Sequence, residues 1–196
     1  MTEAEFDTGY WYALELKDFA AHLGIPSSNK LRKDELEKAI KMVLRTGKVE
    51  IPTKRALSKA GVKDVEKGLD LRLQVVNYTS NEETKDFIVS EAQRIVPGLK
   101  RKSGARYRLN RWREDQLSRG IKIKYEDLVM QYIKLNQTKE RFAQIPTGRY
   151  INFLSDFLAA ENATREQAIR AWKELKRLNI PKHYRAWKEY QLQKPS

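Results

Sequence analysis

The chain has 196 residues, 40% of them hydrophobic and 33% charged, so it is long enough for one or two compact domains and too short for a large multidomain enzyme. It contains no cysteine, which excludes disulfide frameworks, thiol nucleophiles and thiolate metal sites within this chain and is typical of a reducing cytoplasm. With 39 basic and 26 acidic residues the net charge is +13, so a polyanion is the expected class of partner.

The basic excess is concentrated in one part of the chain. Residues 99–149 contain 14 basic and 5 acidic side chains, whereas residues 1–50 contain 8 and 9. The first residues are acidic and aromatic, unlike a signal peptide, and no apolar run approaches the roughly 20 residues that span a bilayer. We therefore expect a cytoplasmic protein with no membrane partner, associated with the nucleoid if it binds DNA.

Two amphipathic helices joined by a short extended loop are predicted in the first 50 residues. Apolar side chains recur at spacings of three and four residues in both segments, and Gly24 and Pro26 interrupt the pattern between them. Gly47 is expected to end the second helix. The apolar positions are Tyr12, Leu16, Phe19, Ala20 and Leu23 in the first helix and Leu36, Ile40, Val43 and Leu44 in the second.

Three motifs in this region carry a family resemblance: Leu16-x-x-Phe19, then Leu23-Gly24-Ile25-Pro26-Ser27-Ser28-Asn29, then Lys33-x-x-Leu36-x-x-x-Ile40. They resemble the SAP module, a small helix–extended loop–helix domain. The resemblance implies binding to duplex DNA, often AT-rich, with the loop and the start of the second helix against the backbone. It implies that the residues facing DNA are Ser27, Ser28, Asn29, Lys30 and Lys33. From chemistry alone, turn and capping roles are the favoured explanation of the Ser and Asn side chains, and the resemblance makes contact with DNA an equally good one.

The rest of the chain is predicted to be a linker followed by a helical domain. We place the SAP-like module at 8–47, the linker at 48–69 and the helical domain at 70–192. Alternating side chains over 71–78 predict one short strand or extended segment. The fold class is therefore mainly α. The expected helices lie at about 82–95 (capped by Ser80 or Asn81), 109–119, 126–136, 150–158 and from 165 to before Pro181 (with a Thr164/Gln167 capping box). Tyr184, Trp187 and Tyr190 indicate one more short packing element.

The order of motifs in the second part carries a weaker resemblance. The motifs include Val75-Val76-x-Tyr78, Leu109-Asn110-x-Trp112-Arg113 and Ala168-Ile169-x-Ala171-Trp172-Lys173. They resemble a helical domain that follows a SAP module in small bacterial cytoplasmic proteins. This resemblance implies an architecture and no particular activity.

A basic run is the second candidate contact with nucleic acid. It consists of Lys100, Arg101, Lys102, Arg106 and Arg108, arranged around a Ser-Gly turn that lets backbone amides approach a phosphate. Because the charge excess of the chain is concentrated here, we favour nucleic acid over the alternative of a solvated loop.

Side chains for catalysis are scarce. His22 and His183 are the only histidines and are expected to be structural. Glu15 and Glu174 each lie two residues before a lysine, a spacing found in metal nucleases. Both motifs fall within helical patterns, whereas the nuclease site needs a strand, so we discount them. We predict no catalytic residues, no metal and no cofactor. The predicted function is non-catalytic binding of double-stranded DNA. The alternative is an adaptor that docks a protein partner through exposed aromatic residues such as Trp187 and Tyr190, and a nuclease is a distant third.

Overall fold

The protein is described by a computed structural model over residues 1–50, 53 and 61–194. It is mainly helical, as predicted, with 61% of the described residues in helices. The α-helices of the described ranges are α1 Glu3–Thr8, α2 Ala13–His22, α3 Lys33–Thr46, α4 Glu82–Ile95, α5 Ala105–Ser118, α6 Tyr125–Gln137, α7 Arg149–Ala160, α8 Arg165–Arg177 and α9 Tyr184–Gln193. None of them is long and apolar enough to cross a membrane.

The chain divides into two compact units whose boundaries differ from those expected. Unit 1 combines Met1–Thr53 with Ala143–Ser196, and unit 2 is Lys54–Phe142. The single helical domain predicted over 70–192 is thus divided, because α7, α8 and α9 belong to the same unit as the N-terminal residues, which they meet at contacts such as Arg149 with Glu37. Of the predicted linker, residues 51, 52 and 54–60 lie outside the described residues. Residues 61–69 instead belong to unit 2, where Asp64 is fully buried at the start of a 3₁₀ turn.

In unit 1, two apolar clusters hold the helices together. Phe6, Leu16, Leu36 and Ile40 are completely buried among α1, α2 and α3. The second cluster is formed by α7, α8 and α9, and Tyr10 contacts its Trp172 edge to face with 5.0 Å between ring centroids. Helix α1 was not expected from the sequence, although the reciprocal hydrogen bonds between Thr2 and Glu5 are a capping box at its start.

Local signals account for most helix ends. Gly47 adopts a left-handed conformation (φ 69°) at the end of α3, which costs glycine little because it has no Cβ. Asn81 caps α4, and Thr164 and Gln167 form the predicted capping box of α8. Tyr12, expected on the inner face of the first helix, is instead exposed at the N-cap of α2.

Unit 2 is built on α4, α5 and α6. Its core includes Ile88, Leu109, Tyr125 and Leu128. The segment 71–78 consists mainly of turns and bends and forms no strand, so the predicted strand is wrong; one isolated antiparallel bridge joins Gln74 to Lys124. The Asp64 carboxylate accepts hydrogen bonds from the backbone N–H groups of the residues at 76 and 77, at 3.1 and 2.8 Å, so the start of the unit is held to this segment.

Candidate nucleic-acid interface

The loop for which the sequence resemblance implies contacts with DNA lies in unit 1 between α2 and α3. Ser27 has a left-handed backbone (φ 55°) and makes no capping hydrogen bond, and residues 28–30 form one 3₁₀ turn. Ser27, Asn29 and Lys30 are exposed, whereas Ser28 is buried. The N-cap of α3 is Arg32, so the interpretation of the serines as caps of that helix is wrong. Three of the five implied DNA-facing residues are therefore at the surface of this loop.

Lys33 is engaged within unit 1. Its ammonium group donates a hydrogen bond of 2.7 Å to the backbone carbonyl of Trp11 and lies 5.1 Å from the centroid of the Tyr10 ring. Burial lowers the pKa of Lys33, against an opposing effect of the nearby carboxylate of Glu37. This side chain holds the segment before α2 to α3 and is not directed toward an external polyanion.

The basic run is half loop and half helix. Lys100 and Arg101 are exposed in the loop that follows α4. Gly104, with φ 82°, is the N-cap of α5, so Arg106 and Arg108 lie in the first turn of that helix. The run is thus more ordered than the solvated loop considered as the alternative.

Two of the five basic residues fasten this run, hereafter the basic segment (residues 100–108), to the end of α6. The backbone N–H of Lys102 donates to Oδ1 of Asn136 at 2.7 Å, and its ammonium group donates to the carbonyls of Thr138, at 2.6 Å, and Glu140. A lysine suits this position because the carbonyls at a helix C-terminus carry partial negative charge. The ring of Phe142 lies 4.5 Å from the Lys102 ammonium group and 4.1 Å from the Arg108 guanidinium carbon.

The other three basic residues of the segment are available to a partner. The side chains of Lys100, Arg101 and Arg106 make no hydrogen bond or ion pair with any residue in the described ranges. Elsewhere on α5, by contrast, Arg119 pairs with Asp115 at 2.6 Å. These three side chains therefore form a group of available cations at the N-terminal end of α5.

The first turn of α5 differs electrostatically from those of its neighbours in unit 2. Helices α4 and α6 begin with pairs of acidic residues, Glu82 and Glu83 in one and Glu126 and Asp127 in the other, which complement the positive end of a helix dipole. Helix α5 has no acidic residue there and no side-chain cap. The N–H groups of this turn, which have no side-chain cap, and the Arg106 guanidinium create a positive potential that favours a bound anion.

A concave pocket beside this helix start was not predicted from the sequence. Its volume is about 230 Å³, and Arg106 is part of its lining. One sequence pattern could have indicated this pocket. Residues at spacing i, i+3, i+4 lie on one face of a helix, and the lining contains one such trio from each of two helices. The trios are Lys85, Ile88 and Val89 on α4 and Arg106, Leu109 and Asn110 on α5.

The residues considered for other functions have local roles. Nδ1 of His183 accepts a hydrogen bond from the backbone N–H of Ala186 and caps α9. Glu15 and Glu174 lie in α2 and α8, as the helical patterns predicted. Trp187, expected as an exposed docking residue, packs 5.2 Å from Phe157 in the second core cluster of unit 1. Within the described ranges, no three His, Asp or Glu side chains come together as metal ligands.

The two candidate contacts thus offer a polyanion different groups. The loop in unit 1 presents hydroxyl, amide and one ammonium group, and the basic segment in unit 2 presents three cations and the start of a helix. Comparison of the chain with family models, with curated proteins and with solved structures gives no match.

Proposed function

We propose that the protein binds double-stranded DNA without catalysis, with the basic segment as its main contact. The observation that carries this proposal is the grouping of Lys100, Arg101 and Arg106, without carboxylate partners among the described residues, at a helix start that has no acidic residue. Cations of this kind exchange their counterions for phosphates, which is the main source of sequence-independent affinity for DNA.

The attachment of the segment supports the same proposal. Lys102 and Arg108 contact the residues after α6 and the Phe142 ring, so the chain on either side of the turn at 103–104 is held in place. A contact surface that is ordered before binding loses less conformational entropy when a partner arrives. The two basic residues that face inward thereby raise the affinity that the other three can provide.

The SAP-like loop is the proposed second contact. Ser27, Asn29 and Lys30 are exposed there, and short hydroxyl and amide side chains hydrogen-bond readily to phosphate oxygens. Residues 1–50 carry a net charge of −1, so this contact is weak by itself. Because one chain carries both contacts, the second binding event is intramolecular and gains from effective concentration.

Fluorescence anisotropy with the purified chain tests the proposal. Labelled duplex DNA, single-stranded DNA and RNA of equal length are titrated between 50 and 300 mM salt, with AT-rich and GC-rich duplexes compared. We expect duplex binding that weakens as salt increases, and intact DNA after incubation with Mg²⁺. Absence of binding, or affinity that is independent of salt, would overturn the proposal and favour the adaptor alternative.

A further inference from the structure

The pocket in unit 2 has an apolar floor and a polar rim. Ile88, Leu109 and Tyr132 are almost completely buried beneath it, and Tyr78 forms part of the same floor. Its volume of about 230 Å³ is below the roughly 300–1,000 Å³ typical of sites for drug-sized ligands. The pocket therefore accommodates one ring system and excludes a larger ligand.

The rim consists of polar groups without internal partners. The side chains of Ser80, Lys85, Arg106 and Asn110 form no hydrogen bond or ion pair with the rest of the described chain. No acidic residue lines the pocket. Two cations that face one cavity, with no carboxylate between them, select an anionic ligand, because each side chain otherwise repels the other.

We propose that this pocket takes one unpaired nucleotide. The apolar floor suits the flat face of a nucleobase, and Lys85 and Arg106 suit the phosphate attached to it. The amide of Asn110 offers one donor group and one acceptor, which matches the edge of a base. A paired base cannot enter, because its edge is occupied and its faces are stacked.

This inference rests on the proposed function and makes it more specific. Arg106 belongs both to the basic segment and to the pocket, so the strand that contacts Lys100 and Arg101 continues toward the cavity. The preferred DNA is then a duplex with an unpaired nucleotide, such as a single-stranded overhang. The same chemistry is present in a free nucleoside monophosphate, and the experiment separates the two sources.

Four probes are titrated against the full chain: a blunt duplex, the same duplex with a short overhang that carries 2-aminopurine, and free AMP and TMP. Val89→Trp fills the pocket and leaves its charges in place. Lys85→Gln removes a half-exposed charge without disturbing the core, so its result does not depend on whether the tryptophan variant folds. Lys122→Gln, an exposed lysine that does not line the pocket, is the matched control for loss of one charge.

We expect the overhang to bind at least about tenfold more tightly than the blunt duplex, because one charge-assisted hydrogen bond is gained. The 2-aminopurine fluorescence changes on binding, and Val89→Trp and Lys85→Gln abolish the preference whereas Lys122→Gln retains it. If AMP or TMP binds as tightly as the overhang and the same two variants abolish it, the ligand is the free nucleotide. Equal binding of blunt and overhang probes, unaffected by the pocket variants, would overturn this inference alone; absence of all DNA binding would overturn the proposed function as well.

Discussion

The five basic residues of the basic segment are expected to respond differently to mutation, although they look alike in the sequence. Lys100 and Arg101 are exposed and have no partner in the described chain, so Lys100→Gln with Arg101→Gln removes two charges that are free to contact phosphates. Lys102 already donates to two backbone carbonyls, so Lys102→Met removes a charge that is used within the fold. The double variant should change DNA binding and the single variant should change stability.

The size of each effect follows from these contacts. Each phosphate contact contributes about 0.9 to the slope of log affinity against log salt, so the double variant should make the slope shallower by about 1.8. Between 50 and 200 mM salt, the affinity of the unmodified chain should therefore fall about twelvefold more than that of the double variant. Lys102→Met should leave the slope almost unchanged and lower the free energy of unfolding by about 2 kcal/mol, because two charge-assisted hydrogen bonds are lost.

Anisotropy titrations of one duplex over a salt series measure the slope, and urea unfolding followed by circular dichroism measures stability. Lys122→Gln serves again as a control for loss of charge at an exposed position outside the segment. All slopes are compared at a temperature at which each variant is fully folded. An unchanged slope in the folded double variant, or an equal loss of slope in Lys102→Met, would refute the assignment of outward and inward residues.

Four further outcomes are expected from other parts of the structure. Gly104→Ala should lower the free energy of unfolding by about 1–2 kcal/mol, since φ is 82° and a Cβ would lie 2.9 Å from Nη1 of Arg108; unchanged urea unfolding would contradict this. Asp64→Ala should cost about 2–4 kcal/mol in the same assay, because two backbone N–H groups lose their acceptor. Burial, followed by the hydrogen bond that the Tyr184 hydroxyl donates to Glu161, raises the pKa of Tyr184 to about 12. Absorbance titration should show this raised pKa, and Glu161→Gln should lower the pKa of Tyr184. The pKa of Glu161 is lowered, most strongly by the hydrogen bond from Lys188. The ionised Glu161 therefore stabilises the fold at any pH above the ordinary glutamate pKa, and this stabilisation should disappear as the pH falls through the lowered pKa.

The sequence by itself determined most of the helices, because their ends depend on neighbouring residues. The Thr164 and Gln167 capping box, the Asn81 cap and the glycine at 47 are local hydrogen-bonding and backbone preferences that the chain carries in any context. The spacing of apolar residues also predicted which face of α6 is buried, including Leu128 and Val129. The mainly helical class follows from such signals, without knowledge of the tertiary contacts.

The division into units was decided by contacts between distant residues. Tyr10 meets Trp172, and Arg149 pairs with Glu37 at 3.4 Å, although 112 residues separate the members of the second pair. No local pattern records such a pairing, because its free energy depends on surface that is buried only after the helices come together. The helices α7 to α9 therefore joined the N-terminal module instead of the domain that precedes them in the chain.

Only the tertiary structure determined which basic residues face outward. Lys102 is fastened by groups that lie 34 to 38 residues later in the chain, and Lys33 by a carbonyl 22 residues earlier. The sequence shows that a lysine is charged and how long its side chain is. Which group the lysine binds depends on the backbone carbonyls that the fold places near it without another hydrogen-bond donor. The pocket has the same origin, because its floor and its rim come together only when α4, α5 and α6 pack against one another.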